Sequence, residues 1–476
     1  FKSTRVNPPT TSIYANDNPD YYNNFSYVPN PAAMIDADYT GSAKERNKNL
    51  QTQFALEYNI PYVKGLKVKG TFIYDYNNYG YKATRKGFKT YTYGEYTGEY
   101  TAADANYPAL LQDNRRESER VDMQFQTNYN RTFGNHTIGA TYVFERREEK
   151  ANWMNGERKF DFFTIGELDN ARESDQKVSG SSEHQAYLSH IGRLTYDYKG
   201  KYLFETNGRY DGSSKFPKKN RFGFFPSVSV GWNIARENFM KPVAGDWLSD
   251  LKLRGTWGQI GNQGIDPYKF VPTMSQVEKK DVAWLVNGAK PLTLNAPGLV
   301  SDSFTWETVE TLDFGFDITA LNGRLQSTFD WYRRDTKDML APGTELPSVV
   351  GASAPLQNTA DLRTKGWELS LTWRDRIGAW GYNVGFNLYD SKTVVTKYHN
   401  ESKIILKSDG TNNYYEGYEI GSIWGYVTDG YYTADDFEDT NTWKLKEGVV
   451  TVDGVSPRPG DIKYQNLRDD GSSTNR

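Results

Sequence analysis

Residues 202–234 read YLFETNGRYDGSSKFPKKNRFGFFPSVSVGWNI, and their two-residue period decides the fold class. One parity of the first segment holds Tyr202, Phe204, Thr206, Gly208 and Tyr210, and the other holds Leu203, Glu205, Asn207, Arg209 and Asp211. The second segment sets Phe222, Phe224, Pro226, Val228, Val230, Trp232 and Ile234 against Gly223, Phe225, Ser227, Ser229, Gly231 and Asn233. A little further on, Leu251, Leu253, Gly255 and Trp257 alternate with Lys252, Arg254, Thr256 and Gly258. Successive side chains of a strand point to opposite faces, so each segment has one oily face and one face that carries charge. A soluble sandwich buries the oily face, whereas a membrane barrel turns it to lipid and its polar face to the lumen. The alternation itself is common to both, so other features must separate them.

Composition narrows the choice. The chain has 476 residues, 15% aromatic, with 35 Tyr and 12 Trp. Hydrophobic residues are 37% and mean hydropathy is −0.76. No run approaches the ~20 apolar residues of a membrane helix. Low hydropathy fits a barrel, in which half of every strand and all the loops are polar, and the 42 Gly and abundant Tyr suit tight turns and interfacial girdles. The absence of cysteine excludes disulfides and thiolate metal sites. A net charge of −3 leaves no basic footprint for nucleic acid. The chain opens on Phe1 without a signal region, which reads as a processed chain or, preferably, a fragment.

Organisation follows from the spacing of alternating segments. Residues 1–50 are rich in Pro, Asn, Asp and Tyr and read as a surface loop region. Residues 51–391 hold about twelve strands of roughly 9–12 residues, the length that crosses a bilayer when tilted. Residues 392–476 read as an external loop region with short strands. Connections alternate: short at 59–65, 132–135, 199–200, 320–323 and 375–381, long at 77–119, 147–184, 259–306 and 335–363. Barrels sort their connections this way, with short periplasmic turns and long external loops. Tyr58, Tyr62, Tyr196, Tyr198, Tyr202, Trp380 and Tyr382 gather beside the short turns, as a girdle would, though strand ends favour Tyr in any case. The polar parity, including Lys67, Gln124, Glu205, Arg209, Lys252, Arg254, Asp313, Asp317 and Glu368, belongs in a wet lumen, because charge facing hydrocarbon costs ~2–4 kcal/mol at midplane. The expected class is therefore all-β, a transmembrane antiparallel β-barrel.

The motifs carry little chemistry. Gly258, Gly261 and Gly264 resemble a phosphate loop, but Pro267 follows and no helix opens, so a glycine turn leaving a strand is preferred. Four histidines, His136, His184, His190 and His399, have no metal-ligand spacing. Residues 466–471, NLRDDG, place Arg468 where a calcium loop needs oxygen. No nucleophile and base assemble, so neither catalysis nor a cofactor is expected. The loops are the substrate-binding candidates: Tyr76, Tyr79, Tyr81 and Tyr93 in a Tyr-, Gly- and Asn-rich run, with Trp153 and Trp284. Flat aromatic platforms suit sugars or peptides; the competing reading is loops packed by their own aromatics.

Several stretches resemble SusC/RagA-type TonB-dependent outer-membrane transporters. They are RYDGSSKFPKKNRFGFFPSVSVGWNIARENFM at 209–240, LSDLKLRGTWGQIGNQ at 248–263, TWETVETLDFGFD at 305–317 and TFDWYRRDTKDML at 328–340. Asn358 with Lys365 to Leu369, GSIWGYVTDG at 421–430 and PGDIKY at 459–464 continue the pattern in order. The resemblance implies a 22-stranded barrel in chains about twice this length, with a carboxypeptidase-regulatory-like domain and a plug that meets TonB, neither of which is in this sequence. It also implies Gram-negative outer-membrane lipid around the wall and import of an oligosaccharide, sometimes a peptide, under a SusD-type lipoprotein lid. A siderophore receptor of the wider TonB-dependent group and a secreted all-β glycan-binding or adhesion protein remain the alternatives.

Overall fold

A computed structural model describes residues 10–475 except 26–28, 164, 241, 243–246, 278–283, 292, 343–345, 353, 399–403, 406–413, 423–425, 440–441, 453–455 and 466–473. Twelve strands form one antiparallel sheet in strict sequence order. They are β1 (Gly41–Asn59), β2 (Leu66–Arg85), β3 (Ala109–Phe133), β4 (His136–Phe160), β5 (Lys177–Tyr198), β6 (Tyr202–Ser213), β7 (Phe222–Asn233), β8 (Leu248–Asn262), β9 (Glu307–Ala320), β10 (Leu325–Pro342), β11 (Leu356–Ile377) and β12 (Trp380–Tyr398). Every strand pairs with its sequence neighbour, so the short connections all fall on one edge of the sheet and the long ones on the other. Positive-φ glycines make the tightest reversals, Gly134 at 60° between β3 and β4 and Gly378 at 60° between β11 and β12.

The two faces are inverted relative to a soluble protein. Phe204 is 42% exposed, Val228 37% and Leu253 41%, and they share one face with the exposed Phe125, Phe314, Val384 and Phe386. Glu205 and Arg254 lie on the opposite face, ion-paired with their neighbours. An apolar sheet face of this extent is stable only against another apolar phase, and lipid supplies it. We therefore call it the outer face and its opposite the lumen face.

The buried clusters sit beyond the oily band. Phe216, Phe225, Ile265, Phe304 and Trp306 pack where the long-edge connections run from β6 into β7 and from β8 into β9. Ala109, Leu111, Phe160 and Ala171 close the far ends of β3 and β4, and Leu248 with Ala320 closes the short-turn end.

Strand length departs from the sequence reading. β3 and β4 are 25 residues each, twice the span expected, and absorb much of the stretches read as loops at 77–119 and 147–184. β1 likewise starts at Gly41, inside the stretch read as surface loop, after two short helices over residues 31–40. The reason is physical. Once a strand rises above hydrocarbon both faces meet water, so the alternation that marks it vanishes: outward Lys44, Arg46 and Lys48 are interleaved with Glu45 and Asn47. After β12 the described residues make only short pairings, such as Thr428–Tyr431 with Ile462–Tyr464.

Candidate functional site

The lumen face of β2 to β8 is a continuous band of paired charges. Asp75 of β2 ion-pairs with Arg120 of β3, whose Nε lies 3.2 Å from Asp122. The other oxygen of Asp122 takes Arg147 Nε of β4 at 2.5 Å. The Asp122 side chain is 3% exposed, so two guanidinium groups offset the desolvation of one carboxylate. Further round, Arg193 meets Glu205 at 2.7 Å, and Asn207 donates to Glu205 at 3.0 Å and to Ser227 at 3.3 Å. Arg209 forks onto Asp211 at 3.0 and 3.1 Å.

Arg254 of β8 reaches furthest. It grips Asp317 of β9 at 3.1 and 3.2 Å and Asp330 of β10 at 2.6 and 2.9 Å. Gly315, opposite both Arg254 and Asp330 in the register, makes this possible. A Cβ there would sit 3.0 Å from Arg254 Cζ and collide with the Asp330 carboxylate.

Two concavities open on this band. One of about 580 Å³ is lined by Asn49, Gln51, Asp75, Arg116, Arg120 and Glu149. The other, about 380 Å³, is lined by Arg147, Tyr187, Arg209, Asp211 and Trp306 and shares Glu149 with the first. Their polar walls present hydrogen-bond donors and acceptors of both signs.

The six sequence candidates divide. Tyr79 of β2, Arg116 of β3 and Trp153 of β4 lie side by side in one cross-strand row on the lumen face, ending at Ser181 of β5. Tyr81 is one step above, opposite Asn114. Tyr76 faces outward, and its hydroxyl donates to Glu117 at 3.4 Å. Tyr93 meets Tyr100 in a tilted ring contact, 5.0 Å between centroids, in a hairpin of Phe88–Tyr93 with Tyr100–Ala105. That hairpin is packed against Tyr21, which lies 4.4 Å from Tyr91. Trp284 is exposed in the connection between β8 and β9. Tyr76, Tyr79, Tyr81 and Trp153 are thus strand residues, not loop residues as read. The reading missed Arg116, Asp75, Arg120, Asp122 and Arg147. Arg120 and Asp122, opposite charges two apart on one parity, are the signal that marks them.

Other motifs resolve into architecture. Gly258 and Gly261 lie inside β8 rather than in a turn, and a Cβ at Gly261 would occupy the Phe225 ring. His190 faces outward, 2.9 Å from the Tyr142 hydroxyl. His399 and residues 466–471 lie outside the described residues. At the short-turn edge, Glu237 takes Lys201 Nζ at 2.8 Å and Trp232 Nε1 at 3.3 Å. Lys201 first, then the Tyr202 hydroxyl and Trp232, hold its carboxyl down to about 2.

A family model described as TonB dependent receptor-like, beta-barrel, matches residues 2–469. The chain belongs to that family. Among its relatives, this TonB-dependent receptor barrel is 29% identical over 449 residues to TonB-dependent receptor P3 of Formosa agariphila, covering 91% of this chain and 41% of that protein. It is 31% identical over 288 residues to TonB-dependent receptor SusC of Bacteroides thetaiotaomicron, covering 58% of this chain and 28% of that protein. Its fold matches that of the RagAB peptide importer in the closed-closed state with a TM-score of 0.67 at 20% identity, over 90% of this chain and 45% of that one. The chain spans less than half the length of each. TonB-dependent receptors are β-barrels of the Gram-negative outer membrane, the setting that the oily outer face demands.

Several motif residues of the TonB-dependent receptor barrel brace the outer mouth. Trp306 Nε1 donates to the Arg221 carbonyl at 3.1 Å, and Asn220 Nδ2 donates to the Ser303 carbonyl at 2.8 Å.

Proposed function

We propose that this chain forms the wall and outer mouth of an energy-coupled importer that draws an oligosaccharide through its lumen, capped by a SusD-type lipoprotein and driven by the TonB complex. The row Tyr79–Arg116–Trp153 beside the 580 Å³ concavity carries this reading. Two aromatic faces separated by a guanidinium offer apolar platforms for sugar rings and N–H donors for their hydroxyls. The test is uptake by cells carrying Tyr79→Ala with Trp153→Ala, measured on panels of glycans and peptides. Loss of uptake on at least one glycan supports the reading; unchanged uptake of every glycan removes it.

One observation favours a second cargo. Asp75, Arg116, Arg120 and Glu149 put both signs of charge on one concavity. Such walls engage the termini and charged side chains of peptides. Selective loss of peptide uptake in Arg116→Ala would move the assignment to peptides.

A further inference from the structure

The outer face of β9 to β12 changes character within one residue step. Phe314, Trp331 and Trp367 lie side by side in one cross-strand row, with Phe314 and Trp331 stacked at 6.4 Å between centroids. Such aromatics mark the level where hydrocarbon gives way to headgroups. The next row on the same face, toward the long-loop edge, reads Leu312, Arg333, Lys365, Lys392. Three cations on three adjacent strands stand directly opposite one another, with Cβ atoms roughly 4.5–5.5 Å apart, an arrangement that sheets otherwise avoid.

The row itself holds no acid. Its counter-charges stand beside it: Arg333 and Arg363 share Asp335 at 2.8 and 2.5 Å, Lys392 meets Glu419 at 2.8 Å, and Asp390 stands opposite Trp367 at the β12 end of the aromatic row. Lys365 is exposed, and the Lys392 side chain is 65% exposed. The same step recurs on β1 and β2. There Lys48, Arg46 and Lys44 follow Leu50 on the outer face, and Lys44 stands opposite Lys82. Cations at headgroup height are stabilised by anionic lipid, and in the outer leaflet of this membrane the anions are phosphates on a glycolipid.

We propose that Arg333, Lys365 and Lys392 form a binding site for the phosphate groups of lipid A, the membrane anchor of lipopolysaccharide. This follows from the membrane placement of the wall and is independent of the cargo. Two exposed ammonium groups and a guanidinium, fixed by the ladder at strand spacing, bridge the anionic oxygens of a bound phosphate. The aromatic row beneath receives the acyl region.

The test is native mass spectrometry of the purified receptor in detergent, with diphosphorylated lipid A, its dephosphorylated form, and inorganic phosphate as competitor. Retention of diphosphorylated lipid A is expected to fall by about tenfold or more in Lys365→Gln with Lys392→Gln. It should stay unchanged in Lys64→Gln, an exposed turn lysine at the opposite edge. Heat-modifiable gel migration verifies that each barrel is folded, and Lys392→Gln alone serves if the pair does not fold. Equal retention by wild type and variants, equal retention of the dephosphorylated lipid, or displacement by millimolar phosphate would each overturn the proposal.

Discussion

Asn358 holds the backbone of Thr305 by both ends of its amide. Its Oδ1 accepts from Thr305 N at 2.9 Å, and its Nδ2 donates to the Thr305 carbonyl at 3.1 Å and to the Asp338 carbonyl at 2.6 Å. This ties the start of β9 to the start of β11 across the outer mouth, 53 residues apart in sequence. Asn358→Ala is expected to cost about 1–3 kcal/mol, since it orphans backbone groups as well as losing bonds. Asn358→Asp should cost at least as much, since it keeps the acceptor but sets a charged oxygen against the Thr305 and Asp338 carbonyls. Thermal midpoints followed by Trp fluorescence decide; an unchanged midpoint in Asn358→Ala would show that the clasp carries no stability.

The inverted faces make neighbouring positions respond in opposite ways. Val228 faces lipid and Ser229 the lumen, where its hydroxyl lies 3.2 Å from that of Thr256. Val228→Arg should destabilise the barrel by ~2–4 kcal/mol and lower its yield in the outer membrane, whereas Ser229→Arg should assemble near normally. Comparable assembly of the two would contradict the assignment of faces.

Arg254 binds Asp317 and Asp330 together, so its removal leaves two acids half-buried and close. Arg254→Ala is expected to lose about 3–5 kcal/mol, and Arg254→Met combined with Asp330→Leu should recover part of that. Denaturant midpoints of refolding into detergent supply the comparison. Gly315→Ala should mimic the defect, because the new methyl occupies the path of the guanidinium.

Glu237 gives the short-turn edge an acid limit. Its folded value is depressed to about 2, against an ordinary glutamate near ~4.3. A depressed carboxyl contributes stability that is complete above the ordinary value and is lost as pH falls through about 2. Protection factors of the Asn233 to Met240 amides, taken against the intrinsic exchange rate at each pH, should therefore stay high at neutral pH and fall between pH ~4 and pH ~2. Lys201→Met should remove most of that pH dependence; protection insensitive to acid in the native protein would rule the linkage out.

The wall was legible because lipid enforces a strict rule. Phe204, Val228, Leu253 and Phe314 each fall on the oily parity of their own segment, and in the structure they share a face. Nothing enforces the rule above the bilayer, so the upper halves of β3 and β4, with runs such as Arg115, Arg116, Glu117 and Ser118, were indistinguishable from loop. The lumen site was half legible for a related reason. Tyr79 and Trp153 stand out in the sequence as aromatics, but they are neighbours only through Arg116 between them, and register over 74 residues is invisible to local pattern. Tyr76, three residues from Tyr79, faces the other way because a strand turns its side chain at every step.

β3 and β4 would each extend to about 80 Å at ~3.3 Å per residue, against a hydrocarbon core of ~30 Å. Much of what an antibody meets on the cell is therefore hydrogen-bonded sheet rather than pliable chain. Sera raised against linear peptides from 109–120 or 147–160 should bind denatured receptor but not intact cells. Vaccine epitopes from this collar must be presented folded, while the hairpin tip at 94–99 can serve as a short peptide.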